Sequence, residues 1–234
     1  GLYLNSSDSN TTTLTGDIST IGDDARGLYL LISDSNTTTL TGDISTTGDS
    51  ARGLALVNSD SNTTNMIGNI STAGAIDAFG LWIVNSVSNI TTLTGNISTT
   101  GEDGADGLAL EDSTYNTTTL NGNISTTGLG SYGLILSGSD SNTTTLTGGI
   151  TTTGASAHGL VLDTSDSNTT NMTGNISTTG DNAAGLRIST SVSNITTLTG
   201  DISTIGDTSR GLYIIDSDSN TTNMTGNIST TGDN

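Results

Sequence analysis

The chain has 234 residues, of which 30% are hydrophobic and 3% aromatic, and its formal net charge is −19. Four basic residues against 23 acidic ones exclude a basic phosphate-binding face, so nucleic acid is not an expected partner. The sequence contains no cysteine for disulfides or thiolate metal sites. No apolar run approaches the roughly 20 residues that a membrane-spanning helix needs. Low hydrophobicity with high charge is typical of disorder, so the order of the residues decides the class.

That order is an internal repeat. A unit of 26 or 27 residues begins at each Gly-Leu pair, and the nine units start at residues 1, 27, 53, 80, 107, 133, 159, 185 and 211. The longer units carry their extra residue before Gly80 and Gly107, which indicates a loop that tolerates insertion. We interpret residues 1–234 as a single array of repeats and expect it to be uncapped at both ends, because neither end differs in pattern from the middle.

The predicted elements of each unit are three short strands at about positions 1–5, 11–15 and 17–21, counted from its first Gly. The constant residues stand at even positions: Leu at 2, Leu or Ile at 4, Asn at 10, Thr at 12, Leu or Met at 14, Gly at 16, Ile at 18, Thr at 20 and Gly at 22. A period of two is the period of a β-strand, so we expect even positions to face an interior and odd positions to face solvent. Gly, Thr, Ser and Asn at these spacings argue against helix.

We therefore predict an all-β fold, a parallel β-solenoid in which each unit forms one coil with three strands. Coils stacked at about 4.8 Å would make a rod about 43 Å long from nine coils. Identical residues would then lie directly above one another. The narrow interior needs only the four apolar residues that each unit supplies at positions 2, 4, 14 and 18, which removes the argument for disorder.

The constant asparagine is predicted to form a ladder at a turn, a recurrent stabiliser of stacked strands. Its members are Asn10, Asn36, Asn62, Asn89, Asn116, Asn142, Asn168, Asn194 and Asn220. The threonines at positions 12 and 20 share the parity of the leucines. We expect them to point inward and their stacked hydroxyls to bond to each other and to the backbone.

The threonines at odd positions are expected on a flat outer face, which offers an alternative function as an ice- or glycan-binding surface. An ice-binding face should be the more constant face, whereas here the outward positions vary more than the inward ones. The substitutions are Ile90 and Ile195 at position 11, Asn65, Asn171 and Asn223 at position 13, and Ile67 and Asn121 at position 15. High β-propensity and solubility explain these threonines more simply.

Two further polar columns have predicted roles. Position 17 forms N-I-S triplets with outward parity, which are candidate glycosylation acceptors at Asn69, Asn96, Asn123, Asn175 and Asn227. Position 8 stacks Asp8, Asp34 and Asp60, but Val87, Thr114 and Val192 interrupt the column. We interpret it as a solvated acidic edge rather than a cation site, and expect no metal or cofactor.

Catalysis has little support, and a carbohydrate-active enzyme is the third-ranked function. His158 is the only histidine, which excludes multi-His metal sites, and it stands in the variable loop before Gly159. Arg26, Arg52 and Arg210 precede a Gly-Leu pair, where we expect them to pair with nearby aspartates.

The unit GNISTTGDNAAGLRI, residues 174–188, resembles the passenger repeats of autotransporters and related bacterial surface adhesins. The resemblance runs through all nine units and implies a right-handed β-helix that is exported to the cell surface. It implies a structural fibre, stalk or adhesin segment. The uncapped pattern of both ends separately predicts end-to-end self-association or neighbouring repeats of a longer chain as partners, and the outward threonine face offers a surface glycan as a further candidate partner.

Overall fold

The structure is a computed structural model that describes residues 1–233, and it confirms the all-β parallel solenoid with three strands in each of about nine coils. Each strand pairs in parallel with its equivalents in the coils before and after it, and the 27 strands form three nine-stranded sheets. Residues 1–233 contain no helix of the length and apolarity needed to cross a membrane.

Sheet A holds the first strand of each coil. Its members are β1 (Leu2–Asn5), β4 (Arg26–Leu31), β7 (Arg52–Val57), β10 (Phe79–Val84), β13 (Leu108–Glu111), β16 (Leu134–Ser137), β19 (Leu160–Asp163), β22 (Ala184–Ser189) and β25 (Arg210–Ile215).

Sheet B holds the second strand of each coil. Its members are β2 (Thr11–Thr15), β5 (Thr37–Thr41), β8 (Thr63–Ile67), β11 (Ile90–Thr94), β14 (Thr117–Asn121), β17 (Thr143–Leu146), β20 (Thr169–Met172), β23 (Ile195–Thr199) and β26 (Thr221–Thr225).

Sheet C holds the third strand of each coil. Its members are β3 (Ile18–Ile21), β6 (Ile44–Thr47), β9 (Ile70–Ala73), β12 (Ile97–Asp103), β15 (Ile124–Leu129), β18 (Ile150–Thr153), β21 (Ile176–Thr179), β24 (Ile202–Ile205) and β27 (Ile228–Thr231).

The interior is a continuous column of aliphatic side chains from the three sheets. In the second coil these are Leu28, Leu30, Leu40 and Ile44, each with 0% of its surface exposed. They stand at positions 2, 4, 14 and 18, as the period-two pattern predicts. Full burial of a Leu or Ile side chain contributes about 1.5–3 kcal/mol, so four per coil supply the driving force that the overall composition seemed to lack.

The glycine that opens each unit lies where sheet A approaches sheet C. A Cβ on Gly53 would collide with Cγ2 of Ile70 and with the carbonyl oxygen of Gly80 in the next coil. A side chain there would hold the two sheets apart. This inward-facing glycine also breaks the strand alternation, because Arg52 at the preceding even position faces outward, over the ring of Trp82.

The corner between sheets A and B uses left-handed backbone in coil after coil. Position 6 has φ of 49° at Ile32 and 57° at Gly138, and position 9 has φ of 57° at Ser35. Such angles cost little for Gly, Asn or Asp and more for a β-branched residue. The SDSN segment is thus a conformational corner, and Ile32 is a poor fit to it.

The insertion before Gly107 extends a strand rather than adding a free loop. β12 reaches Asp103, and its pairing with β15 shifts register between Thr100 and Asp103. The isolated parallel bridge from Ile76 to Asp103 continues the contact with the preceding coil. The extra residues are therefore absorbed at the sheet C edge, and the register of sheet A is retained.

Candidate functional site

The nine asparagines of position 10 lie in one column along the solenoid, and those from Asn36 to Asn194 are 1% exposed. At every step the backbone N–H of one asparagine donates a 2.8 Å hydrogen bond to Oδ1 of the asparagine in the following coil. The side-chain Nδ2 donates to a serine carbonyl of the preceding coil at 2.6–2.8 Å. The column therefore satisfies main-chain groups that the corner removes from the β-ladders.

A second polar ladder, at position 7, was not predicted from the sequence. Each backbone N–H donates to the serine Oγ of the next coil at 2.9–3.2 Å. In coil 2 the Oγ of Ser33 donates in turn to the carbonyl of Leu31. Serine occupies position 7 in every unit, from Ser7 to Ser217. This constancy in the sequence could have indicated the ladder. Position 7 is odd, however, and an odd position was expected to face solvent, an expectation that does not apply at a corner where the chain turns.

The threonine columns are inward, but the predicted hydroxyl bonding is wrong for position 12. The Oγ1 atoms of this column are buried without a hydrogen-bond partner in the protein, at Thr38, Thr64, Thr91, Thr118, Thr144, Thr170, Thr196 and Thr222. At position 20 the hydroxyl of Thr99 donates to the carbonyl of Ala105 at 2.9 Å. Thr126 and Thr152 make equivalent bonds. The other buried hydroxyls of position 20, at Thr20, Thr46, Thr72, Thr178 and Thr204, have no partner in the protein, so the predicted bonding is confirmed only for Thr99, Thr126 and Thr152.

In the outer columns of carboxylates and amides the hydrogen bonds run opposite to those of the inner asparagine column. There the side chain accepts from the backbone N–H of the following coil, not of the preceding one. Oδ1 of Asp8 accepts the N–H of Asp34 at 2.8 Å, and Oδ1 of Asp34 accepts that of Asp60 at 2.7 Å. Within residues 1–233 no three His, Asp, Glu or Cys side chains converge on a metal-binding geometry. The stacked acids of position 8 thus hold backbone amides of the following coil while remaining on the surface.

The candidate glycosylation asparagines are all exposed, and they lie beside sheet C. Their side chains also serve the backbone: Oδ1 of Asn69 accepts the N–H of Asn96 at 2.9 Å, and Oδ1 of Asn96 accepts that of Asn123 at 2.8 Å. Asn175 bonds to the N–H of Asp201 in the same way. Nδ2 of Asn69, the atom to which a glycan would be attached, also donates to Oδ1 of Asp43 at 3.3 Å. Acceptance of glycans at the five exposed asparagines stays a prediction.

The outer face of sheet A concentrates nearly all the rare residues of the chain. All four arginines, the single Trp, Phe and His, and four of five tyrosines occupy position 3 or the last position before the Gly-Leu pair. We call this face the aromatic–arginine stripe. Its members are Tyr3, Arg26, Tyr29, Arg52, Phe79, Trp82, Tyr132, His158, Arg187, Arg210 and Tyr213. Each column is variable from unit to unit, so sequence reasoning treated position 3 as drifting and missed the stripe.

In the middle coils the outer face of sheet A is a packed layer, which corrects the expectation of solvent exposure for position 3 there but not for the odd positions of sheet B. Phe79 and Trp82 stack with ring centroids 5.3 Å apart, and Phe79, Ile135 and Val161 are at most 9% exposed. Ala109 between them is fully buried. Large aromatic side chains lying along the sheet thus cover the smaller residues of neighbouring coils.

Arg26, Arg52 and Arg210 stack on these rings. The prediction that they pair with nearby aspartates is confirmed for Arg52 and wrong for Arg26 and Arg210. Arg26 lies 4.5 Å from the ring centroid of Tyr29, and Arg52 lies 4.3 Å from that of Trp82. The single ion pair in residues 1–233 joins Arg52 to Asp24 at 3.9 Å. Burial, followed by repulsion from Arg26, lowers the pKa of Arg52. Cation–π contacts of this kind contribute about 0.5–2 kcal/mol each and hold the guanidinium groups flat on the face.

Two titratable groups at the last position before a Gly-Leu pair are buried: His158 of the stripe and Asp106 beside it. Burial raises the pKa of the Asp106 carboxyl to about 8, although Oδ1 accepts the N–H of Tyr132 at 2.7 Å. Burial, then the charge of Arg187, lowers the pKa of His158 to about 4. Nδ1 of His158 accepts the N–H of Ala184 at 2.8 Å, so the imidazole is neutral at pH 7 with its proton on Nε2.

The fold and these ladders define a stacked-coil β-solenoid, a structural repeat architecture with a chemically distinct stripe on one face. Comparison of the chain with protein-family models, with curated proteins and with solved structures gave no match in any of the three. The assignment of function therefore depends on the geometry of the coils.

Proposed function

We propose that this protein acts as a structural rod, a stalk or fibre segment of an extracellular or cell-surface assembly, and that it has no catalytic role. The observation that carries the proposal is the unbroken column of 2.8 Å asparagine bonds through all nine coils. A stack in which every coil repeats the bonds of its neighbour has no intrinsic length. Such an architecture suits a spacer whose reach is set by coil number.

The register of the three sheets supports a stiff rather than a jointed rod. Leu2, Leu28, Leu54 and Leu81 are paired directly in successive strands of sheet A, and the pairing continues to Leu212. A bend would have to break the three sheets and the polar ladders together. Resistance to bending is what a stalk requires, and the resemblance to surface adhesin repeats points to the same use.

End-to-end association is the filament form of the same proposal. The coil-to-coil contact consists of parallel strand pairing, aliphatic stacking and the two inner ladders. The same contact between two chains would need no new chemistry, because in both inner ladders the backbone N–H of one coil donates to a side-chain oxygen of the next coil. The acidic outer columns would disfavour side-by-side association of rods, since like charges would meet there.

The test is to change coil number and measure length. Removing residues 27–79 deletes two complete units and joins Arg26 to Gly80, a junction of the same type as Arg26 to Gly27. We expect a folded protein whose maximum dimension in small-angle X-ray scattering is shorter by about 10 Å, two strand spacings. Retention of the original length, or loss of the β-sheet circular dichroism spectrum, would contradict a modular rod.

Filament formation is tested separately on the intact chain. Sedimentation velocity over a hundredfold concentration range, with negative-stain electron microscopy of the same samples, should show rods that lengthen in multiples of the single-chain length. Short rods of one length at every concentration would contradict filament formation but would remain consistent with a stalk.

A further inference from the structure

The aromatic–arginine stripe contains a pocket of about 320 Å³ near its C-terminal end, lined by His158, Asn182, Ala184, Arg187, Arg210 and Tyr213. We call it the stripe pocket. Four successive units contribute to it, from the unit of His158 to the unit of Tyr213. They meet there because residues of the last position before Gly-Leu and of position 3 stack above one another. The volume suits one sugar-sized ring. The lining is concave, in contrast to the outer face of sheet B, which carries short threonine side chains.

The charge of the stripe pocket is opposite to that of the chain. Arg187 and Arg210 are two of the four basic residues in a protein with 23 acidic ones, and the lining described within residues 1–233 includes no carboxylate. Asp163, at position 5 of a neighbouring strand, is engaged with the Oγ of Ser189. Neither arginine of the pocket forms an ion pair within residues 1–233. One guanidinium nitrogen of Arg210 donates to the carbonyl of Thr208 at 3.4 Å, and its other N–H groups can receive an anion together with Arg187.

The remaining lining supplies neutral donors and ring faces. His158 is 8% exposed, and because its Nδ1 accepts the Ala184 N–H, its Nε2 carries a hydrogen-bond donor. The His158 ring is stacked on that of Tyr132, with centroids 5.4 Å apart and planes 3° from parallel, which fixes its orientation. Arg210 lies 4.5 Å from the ring centroid of Tyr213 and is held by it. The donors are thus positioned before any ligand arrives.

We propose that the stripe pocket binds a carboxylate-bearing pyranose, an acidic sugar residue of a surface glycan. Arg187 and Arg210 bind the carboxylate, as guanidinium groups do in paired N–H···O geometry. The Nε2–H of His158 and the side-chain amide of Asn182 bind ring hydroxyls, and the Tyr213 ring contacts the apolar face of the sugar. Acidic pyranoses include uronic acids and sialic acids, and both present the carboxylate beside hydroxyl groups.

This proposal adds a binding function to the structural role proposed above. It places glycan recognition on the outer face of sheet A instead of the threonine face of sheet B. It requires the coil stack but neither filaments nor a particular rod length. An acidic peptide would satisfy the two arginines, but it would offer no hydroxyl-bearing ring to His158, Asn182 and Tyr213. The neutral donors therefore favour a sugar acid over a peptide.

The test is isothermal titration calorimetry of the intact chain with four probes: trigalacturonic acid, 3′-sialyllactose, neutral galactotriose and a tetraglutamate peptide. Binding of the uronate or the sialoside, with at least tenfold weaker binding of galactotriose and of tetraglutamate, is expected. Preference between the first two identifies the source of the acid. Equal binding of galactotriose, tighter binding of tetraglutamate, or no binding of either sugar acid would overturn the proposal.

Matched variants locate the site. Arg187→Gln and Arg210→Gln should each weaken binding of the preferred sugar acid at least tenfold, whereas Arg26→Gln, in the same stripe but outside the pocket, should leave it within twofold. Arg210 is exposed, so its replacement does not endanger the fold. Equal loss in all three variants would indicate general electrostatic attraction and overturn the assignment. The deletion of residues 27–79 retains the pocket. The length measurement therefore tests the structural rod, the calorimetry tests the sugar-acid site, and either proposal can fail while the other holds.

Discussion

The backbone N–H of Asn89 donates a 2.8 Å hydrogen bond to Oδ1 of Asn116, its equivalent one coil further along the chain. Through Nδ2, Asn116 donates in turn to the carbonyl of Ser86, also at 2.8 Å. One side chain therefore serves two buried main-chain groups of the preceding coil. Asparagine is suited to this because its amide combines an acceptor and two donors on a short stem.

Asn116→Ala should destabilise the stack by roughly 2–4 kcal/mol, because the N–H of Asn89 and the carbonyl of Ser86 lose a partner, and an unsatisfied buried group costs about 1–3 kcal/mol. Guanidinium denaturation followed by circular dichroism measures the effect. Asn123→Ala is the control, since Asn123 accepts a similar bond from Gly149 but is exposed to water. Equal stability of both variants and the parent would show that the ladder is not a stabilising element.

Thr118→Val should stabilise the protein by about 1 kcal/mol. Oγ1 of Thr118 is buried without a partner in the protein, and a methyl group of similar size removes the cost of its desolvation. Thr117→Val makes the same change on the exposed face of the same strand and controls for β-propensity. If Thr118→Val lowers the denaturation midpoint while Thr117→Val does not, the hydroxyl column contributes bonding of the kind predicted from the sequence.

Ile32→Asn should also stabilise, by about 1 kcal/mol, because Ile32 is a β-branched residue with φ of 49° and half of its surface in water. Asn58 and Asn85 occupy the same position in later coils with nearly the same angle. Ile21→Asn is the control, since Ile21 is an exposed isoleucine in the regular strand β3. Thermal melting of both variants distinguishes relief of backbone strain from the general removal of a surface hydrophobe.

Asp106→Asn should raise stability at neutral and alkaline pH. Burial raises the pKa of Asp106 from 3.8 to about 8, so between these values the folded chain keeps a proton that the unfolded chain has released. The contribution of this group to the free energy of unfolding is therefore greatest below pH 3.8 and falls as pH rises towards 8. Asparagine stays neutral throughout, and its Oδ1 can still accept the N–H of Tyr132.

The measurement is the difference in free energy of unfolding between Asp106→Asn and the parent from pH 4 to pH 9. The difference should grow with pH to at most about 6 kcal/mol and level off above about pH 8, one pKa unit being about 1.4 kcal/mol. Asp140→Asn, at an exposed aspartate, controls for the removal of one negative charge. A difference for Asp106→Asn that does not change with pH would show that its carboxyl ionises normally in the folded protein.

Most of the fold could be predicted from the spacing of a few residues. Leu28, Leu30, Leu40 and Ile44 recur at even positions, and only a strand with a repeated register places them all inside. The column of Asn116 and its equivalents followed from the same constancy. The roles of the threonines did not, because parity indicates the direction of a side chain but not whether a partner lies within reach of its hydroxyl.

The aromatic–arginine stripe could not be predicted from the sequence of any single unit. Trp82, Phe79 and Arg52 come from three different units, and in each unit the position looks unconstrained. Phe79 and Trp82 share strand β10, whereas Arg52 belongs to β7 of the coil before. The contact of Arg52 with the two rings appears only when residues 26 or 27 apart are placed about 4.8 Å from each other. The outward turn of Arg52, which breaks the alternation at the glycine, brings it over the ring of Trp82.

By itself the sequence determined the class of architecture, the coil number and the composition of the interior, because a period of two within a period of 26 leaves one way to bury the constant residues. Only the tertiary structure decided what the variable residues do. Packing between coils buries Asp106, orients His158 through Ala184 and brings Arg187 and Arg210 to one pocket. These contacts depend on distances between neighbouring coils, and no single unit contains them.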